Sequence, residues 1–242
     1  MIRFIDEQGI IAPRGEHIKA DVAITTFSRF IFDVLLKYTG AKESGVMRGS
    51  VDIPLYLCEL NGKSVAVYLT PVGAPAAVSA LEEIMACGVK HVVAFGICGA
   101  LTDMQPHVFV VPTKAYRDEG TSYHYMPATE YVDVKNSQTV AKALGDMGIK
   151  TLIGGTWTTD GFYRETRTRF NEMVGNGCVA VDMECSALQA CANYRGGEFY
   201  TFFITADSLA GEEWQPNYIL DLKATDSTSV AVAAAVKLAG EI

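Results

Sequence analysis

Short apolar runs rich in Val, Ile and aromatic residues alternate along the chain with longer segments of helical period. The runs predict strands over Asp21–Thr26, Ile53–Glu59, Ser64–Thr70, His91–Ile97, Val108–Tyr116, Lys150–Thr158, Cys178–Val181 and Glu198–Ala206. The periodic segments predict helices over Ser28–Tyr38, Pro75–Cys87, Ser137–Met147, Arg164–Val174, Met183–Tyr194 and Ser227–Leu238. Asn61-Gly62, set between two of the runs, is a hairpin signal because both residue types tolerate positive φ. Such alternation describes an α/β domain with helices on both faces of a largely parallel or mixed sheet. No linker or repeat interrupts the pattern, so residues 1–242 are expected to form one domain.

Several of these strands end in something polar or tight. Asp21–Thr26 ends at Thr25-Thr26, His91–Ile97 runs into Cys98-Gly99, Lys150–Thr158 into Thr159-Asp160-Gly161-Phe162, and Glu198–Ala206 into Asp207-Ser208. The most informative stretch is Val179–Ala187, where an apolar run gives way to Asp182-Met183-Glu184 and then to small residues. If the strands are parallel, all these ends gather on one edge of the sheet, where open α/β folds bind ligands. Simple capping also accounts for two carboxylates there, with Asp182 as N-cap and Glu184 in the first helical turn. Asp207 can likewise cap a helix before Leu209, and Phe162 can be ordinary core.

Composition narrows the function classes. Apolar residues make up 49% and charged residues 20%, as in a soluble globular protein, and the net charge of −8 argues against nucleic acid as partner. The six cysteines lie in apolar runs without CxxC or Cys/His spacing, so they read as free thiols rather than a disulfide frame or metal site. The N-terminal residues are not those of a signal peptide, and no apolar run is long enough to span a bilayer. A cytoplasmic protein without membrane association is expected.

The order of motifs resembles the nucleoside phosphorylase family, which includes purine nucleoside and uridine phosphorylases and the methylthioadenosine nucleosidases. Val181–Ala187 resembles the ribose-binding segment, Gly96-Ile97-Cys98-Gly99-Ala100 the central glycine motif, Arg117–Tyr125 the loop that follows it, and Thr205-Ala206-Asp207 the segment of the purine-protonating aspartate. The resemblance implies a three-layer α/β/α sandwich with a mixed central sheet. It also implies a homodimer-based oligomer, often a hexamer, and reversible phosphorolysis of a nucleoside to free base and ribose 1-phosphate, with inorganic phosphate as co-substrate and no cofactor. By that resemblance Glu184 and Asp207 are catalytic, while Met183, Phe162, Asp182 and Gly99 bind substrate. The chemistry suits the residue types: a carboxylate can accept hydrogen bonds from both ribose hydroxyls, and a protonated one can donate to a purine N7. Uracil-reading members carry a Gln-x-Arg pair after the Phe-Tyr, whereas Phe162–Arg167 has no Gln, so purine is favoured.

The phosphate site departs from the family pattern. Where relatives have Gly-Asp-Pro-x-Arg the chain reads Thr25-Thr26-Phe27-Ser28-Arg29, a further family arginine is Ala94, and the hydroxyl of the glycine motif is Ile97. Arg29, Arg48 (the arginine a partner subunit contributes), Thr25 and Thr26 are the candidates for a rebuilt anion site. The alternatives are a nucleosidase using water, or a nucleoside-binding protein without turnover. The strand–helix turn Thr25–Phe27 lacks the acid of the nucleosidase branch. His17 and His124 are weak candidates for the sugar 5′-OH.

Overall fold

The computed structural model describes residues 4–15, 18–48, 51–216 and 226–242; His17 lies outside them. The strands are β1 (Val22–Thr26), β2 (Lys42–Met47), β3 (Ile53–Leu60), β4 (Lys63–Leu69), β5 (His91–Ala100), β6 (Phe109–Asp118), β7 (Tyr131–Asp133), β8 (Thr151–Thr159), β9 (Cys178–Asp182) and β10 (Glu198–Ser208). The helices among the described residues are α1 (Arg29–Thr39), α2 (Ala74–Ala86), α3 (Ser137–Asp146), α4 (Arg167–Gly175), α5 (Cys185–Arg195) and α6 (Ser227–Glu241). None is long and apolar enough to cross a membrane.

All the predicted strands and helices form. The β3–β4 hairpin turns at Asn61 and Gly62, both with positive φ. The sequence pattern misses β2 and β7. β2 begins with exposed Lys42, Glu43 and Ser44, which carry no alternation, and β7 has only three residues. α4 starts at Arg167 rather than Arg164, because Phe162–Arg164 forms a 3-10 turn and the Thr166 hydroxyl then accepts from the Arg169 N–H as N-cap.

The strands form one sheet in the order β10-β6-β8-β9-β5-β1-β4-β3-β2, with β7 beside β6. β10 also pairs in parallel with β5, so β5, β9, β8, β6 and β10 close into a five-stranded ring while β1, β4, β3 and β2 extend from it as an open wing. The mixed sheet of the expectation is thus present, with this closure added. The strands are not all parallel: β9 runs antiparallel to β5. The two overlap at their carboxyl ends, with Gly99 opposite Val181, so the convergence of strand ends survives the reversal.

One face of the sheet packs on α2 and α5, the other on α1, α3 and α6, giving three layers. A smaller cluster around Trp157, Met173 and Leu209 lies under α4. α5 is buried from Cys185 to Ala192 and packs against α2, and small residues fill most of that stretch, with Leu188 and Gln189 as its larger side chains. On the opposite face Phe202 stacks between Phe95 and Phe109, with ring centroids 5.4 and 6.1 Å away. Phe202→Ala removes this central ring and is expected to cost about 3–5 kcal/mol in chemical denaturation; an effect as small as that of a surface substitution would deny the stack its place in the core.

Candidate active site

At the junction of β9 and α5 the chain turns from a buried strand into a buried helix, and the free N–H groups of the first turn need acceptors. Asp182 supplies them. Its Oδ2 accepts from the N–H groups of Glu184 (2.8 Å) and Cys185 (2.6 Å), and its Oδ1 from the hydroxyls of Thr156 (2.9 Å) and Thr158 (3.0 Å). The N-cap position falls on Glu184 and not on Asp182 as read from the sequence, yet it is the Asp182 side chain that takes up the N–H groups there; it lies in the cavity wall with both oxygens committed to protein donors. Burial pushes its pKa up and the four donors oppose that shift.

The same junction explains the Arg117–Tyr125 loop. The Thr158 hydroxyl accepts from the Ser186 N–H, the Ser186 hydroxyl donates to Glu119, and Glu119 accepts from the Ser122 N–H. Arg117 donates from Nε to the Ser122 hydroxyl and from its terminal nitrogen to the Pro127 carbonyl, with its guanidinium 3.9 Å from the Tyr123 ring centroid. This motif braces the start of α5 from outside the cavity. His124 is exposed in the 3-10 turn Ser122–His124 and does not line the cavity.

With Asp182 fixing the turn, Glu184 projects toward the start of α2, where its Oε1 accepts from the Gly73 N–H at 2.7 Å. Gly73 has φ +99°, a conformation that suits glycine and turns its N–H inward. Glu184 is 8% exposed. Burial, then the charge of Asp182, pushes its carboxyl up to about 8 against the opposing Gly73 and Met183 hydrogen bonds.

A cavity of about 380 Å³ opens beside this carboxylate. Met183, Glu184, Gly99, Phe162 and Asp207 all line it, so the structure brings these predicted site residues together. Asp207 reaches it through a break in register: Thr205 pairs with Cys98 and Asp207 with Gly99, leaving Ala206 as an extra residue in β10. No helix begins at Leu209. A Cβ on Gly99 would stand 2.8 Å from Val181 Cγ1 and 3.3 Å from Asp207 Oδ1, so glycine is what lets strand and carboxylate approach. Asp207 Oδ2 accepts from the Trp214 indole N–H at 2.6 Å, and burial raises its pKa.

Two participants were missed from the sequence. Glu165, which follows the turn after Phe162, lines the cavity, and burial followed by the charge of Asp207 pushes it up to about 7. The Phe162–Arg167 stretch did carry that acid, but only its lack of Gln was read. Trp214 comes from the segment after β10, and nothing in the local pattern points it at Asp207.

The proposed anion site is not assembled within one chain. Thr25 and Thr26 are buried at the end of a central strand, and the Thr25 hydroxyl donates to the Tyr68 carbonyl (2.9 Å) and pairs with Thr70 (2.6 Å). Arg29 lies on the solvent side of α1 against Asp33 at 4.0 Å. Arg48 pairs with Asp52 at 3.2 Å in a separate cavity floored by Pro71 and Ala76. Ala94 is in the core, whereas Ile97 lines the site. Among the described residues the cavity wall holds four carboxylates and no Lys, Arg or His.

Fold and site together define an α/β protein with a partly apolar, acid-lined cavity at its strand ends. The chain belongs to the Phosphorylase superfamily, whose family model matches residues 21–239. It is similar to a guanosine phosphorylase of Halorubrum lacusprofundi, at 30% identity over 140 residues that take in 56% of this chain and 58% of that protein. It is also similar to a DeoD-type purine nucleoside phosphorylase of Bacillus cereus, at 28% identity over 159 residues, 63% of this chain and 68% of the relative. In fold it matches the crystal structure of a uridine phosphorylase from Vibrio fischeri with TM-score 0.78 and 21% identity, over 93% of each chain.

Because Glu184 holds its proton to about pH 8 when folded, against an ordinary value of 4.5, its stabilising protonated form is lost as pH rises through about 8. Glu184→Gln keeps an acceptor for Gly73 and removes the charge. Its thermal midpoint is expected to match that of the parent near pH 4.5 and to rise above it increasingly up to pH 8–9; parallel stability curves would refute the raised pKa.

Proposed function

We propose that this protein cleaves the N-glycosidic bond of purine nucleosides, with inorganic phosphate as co-substrate and no cofactor, to give free base and ribose 1-phosphate. The observation that carries this reading is the placement of two acidic centres, Glu184 and the Asp207–Glu165 pair, on one cavity with Phe162 in its wall. The naming of two relatives as guanosine and purine nucleoside phosphorylases supports it.

Breaking the C1′–N9 bond leaves positive charge on the sugar and negative charge on the base. Glu184 accepts from the ribose 2′- and 3′-hydroxyls. Those donors favour its ionised form, so substrate binding expels its proton and leaves a carboxylate near the developing cation. The Asp207–Glu165 pair holds a proton near neutral pH and gives it to N7 of the departing purine, which leaves as the neutral base. Phe162 stacks on the base, and Met183 packs against the sugar. A phosphate oxygen forms the new bond to C1′.

Phosphate needs cations that one chain's cavity wall does not offer. In this reading Arg48 of a second copy supplies one, which ties activity to a homodimer-based oligomer. A second reading is hydrolysis, favoured by that same uncharged-to-acidic wall and by Ile97, since water needs no cationic clamp.

Chromatographic detection of free base from inosine, guanosine, adenosine and uridine, with and without phosphate, separates the two. Phosphate-dependent release from purine nucleosides is expected, and Glu184→Ala is expected to lower it by about 100-fold or more. Equal release without phosphate would establish hydrolysis, and release from uridine alone would overturn the purine assignment.

The acid pair gives a pH signature. Glu165 is raised to about 7, so with Glu184 already ionised by bound nucleoside the protonated pair, and with it kcat at saturating substrate, is expected to decline as pH rises through about 7. Glu165→Gln removes the group that holds its proton to about pH 7 and leaves Asp207, raised by burial alone, as the remaining acid, which should move that alkaline limb to lower pH. An unmoved limb would take Glu165 out of the proton transfer.

A further inference from the structure

Beside the cavity described above lies a second one of about 390 Å³, and the two share Phe162 and Glu165 as common wall. Its other aromatic surfaces are Tyr163, Phe170 and Trp214, and Leu209, Arg167 and Glu212 complete the lining. The space is held open by a specific brace. Arg167, at the start of α4, donates to the carbonyls of Leu209 (3.0 Å) and Gly211 (2.5 Å) while its guanidinium lies 4.5 Å from the Phe170 ring centroid. Three of its rings are exposed: Phe162, in the shared wall, is 40% exposed, Trp214 53% and Tyr163 93%. Phe162 meets Tyr163 and Trp214 edge to face, with centroids 5.0 and 6.4 Å apart. An exposed aromatic cluster of this kind, continuous with a polar site, is the lining expected for an apolar part of a ligand.

The chemistry of a purine says which part. N7 and the exocyclic substituent on C6 are neighbours on the same edge of the base. Asp207, the group placed at N7, is held by the Trp214 indole N–H and shares its surroundings with Glu165. Trp214 and Glu165 are both walls of the second cavity. A base whose N7 meets Asp207 therefore directs its C6 substituent at the boundary between the two spaces. An unsubstituted purine nucleoside would fill the first and leave the second to water.

We propose that the preferred substrates are purine nucleosides carrying a bulky apolar or aromatic group on the C6 exocyclic nitrogen, with base and ribose in the first cavity and the substituent among Tyr163, Phe170 and Trp214 in the second. This rests on the reading of the site as one for purine nucleosides, and goes beyond it in naming the substituent.

The test compares adenosine with N6-benzyladenosine in base release, and adenine with N6-benzyladenine in calorimetric binding to the intact protein. The benzyl nucleoside is expected to show kcat/KM about tenfold or more above adenosine. Tyr163→Ala, a substitution at an exposed side chain outside the first cavity, is expected to shrink that preference several-fold and leave adenosine turnover unchanged. Adenosine turned over as well as or better than its benzyl derivative would overturn the proposal. If no nucleoside releases base, the catalytic reading fails by itself and the binding arm still decides: tighter binding of N6-benzyladenine than of adenine, weakened by Tyr163→Ala, supports the second cavity as the substituent's site, and equal or weaker binding overturns it.

Discussion

Four donors converging on the carboxylate of Asp182 hold the end of β9, the start of α5 and the neighbouring strand β8 in one arrangement. Two of those donors are main-chain N–H groups of a helix that is buried on all sides, where solvent cannot replace a lost acceptor. Everything the cavity does depends on this. The turn Asp182 imposes aims Glu184 at Gly73, and the hydroxyl chain through Thr158, Ser186 and Glu119 fixes the Arg117–Tyr125 loop to the same point. Two acids two residues apart thus divide the work: one is consumed in holding the backbone, and the other is left facing the cavity.

The cavity gathers four carboxyl groups and contains no positive side chain among the described residues. Protein architecture tolerates this because burial keeps protons on the acids, with Glu184 near 8 and Glu165 near 7. The site is in effect charged with protons in place of cations. That suits a ligand rich in hydroxyls and ring nitrogens, which exchanges hydrogen bonds and protons with carboxyl groups. It makes a bound dianion depend on charge brought from elsewhere.

Strand and helix order was legible because nearly every element carries its own period, and the ends of β5, β8, β9 and β10 announced themselves by a switch from apolar to polar or tight residues. The antiparallel sense of β9 and the closure of the ring were not legible, since a side-chain pattern states the period of a strand and not its direction or partner. Among the predicted site residues, Glu184, Asp207 and Gly99 sit at such strand ends, and the structure places all three on one cavity. Glu165 and Trp214 sit in turns, and their position follows from Arg167 bridging to Leu209 and Gly211, a long-range contact. Thr25 and Thr26 misled because a hydroxyl before a helix looks like an anion ligand, yet β1 lies mid-sheet and the Thr25 hydroxyl is taken up by β4.

Ring closure has a consequence for how copies of this chain can meet. A strand inside the ring has neighbours on both sides, so it offers no open ladder to another molecule. Among the described residues, beyond the three-residue β7, the exposed edge of the sheet is β2, where Lys42, Glu43 and Ser44 face solvent and the pairing slips at Ser44. Charge and a bulge on a short edge discourage strand-to-strand addition. Self-association by extension of the sheet is thereby disfavoured, and helical faces and loops remain as the surfaces through which a closed assembly can be built.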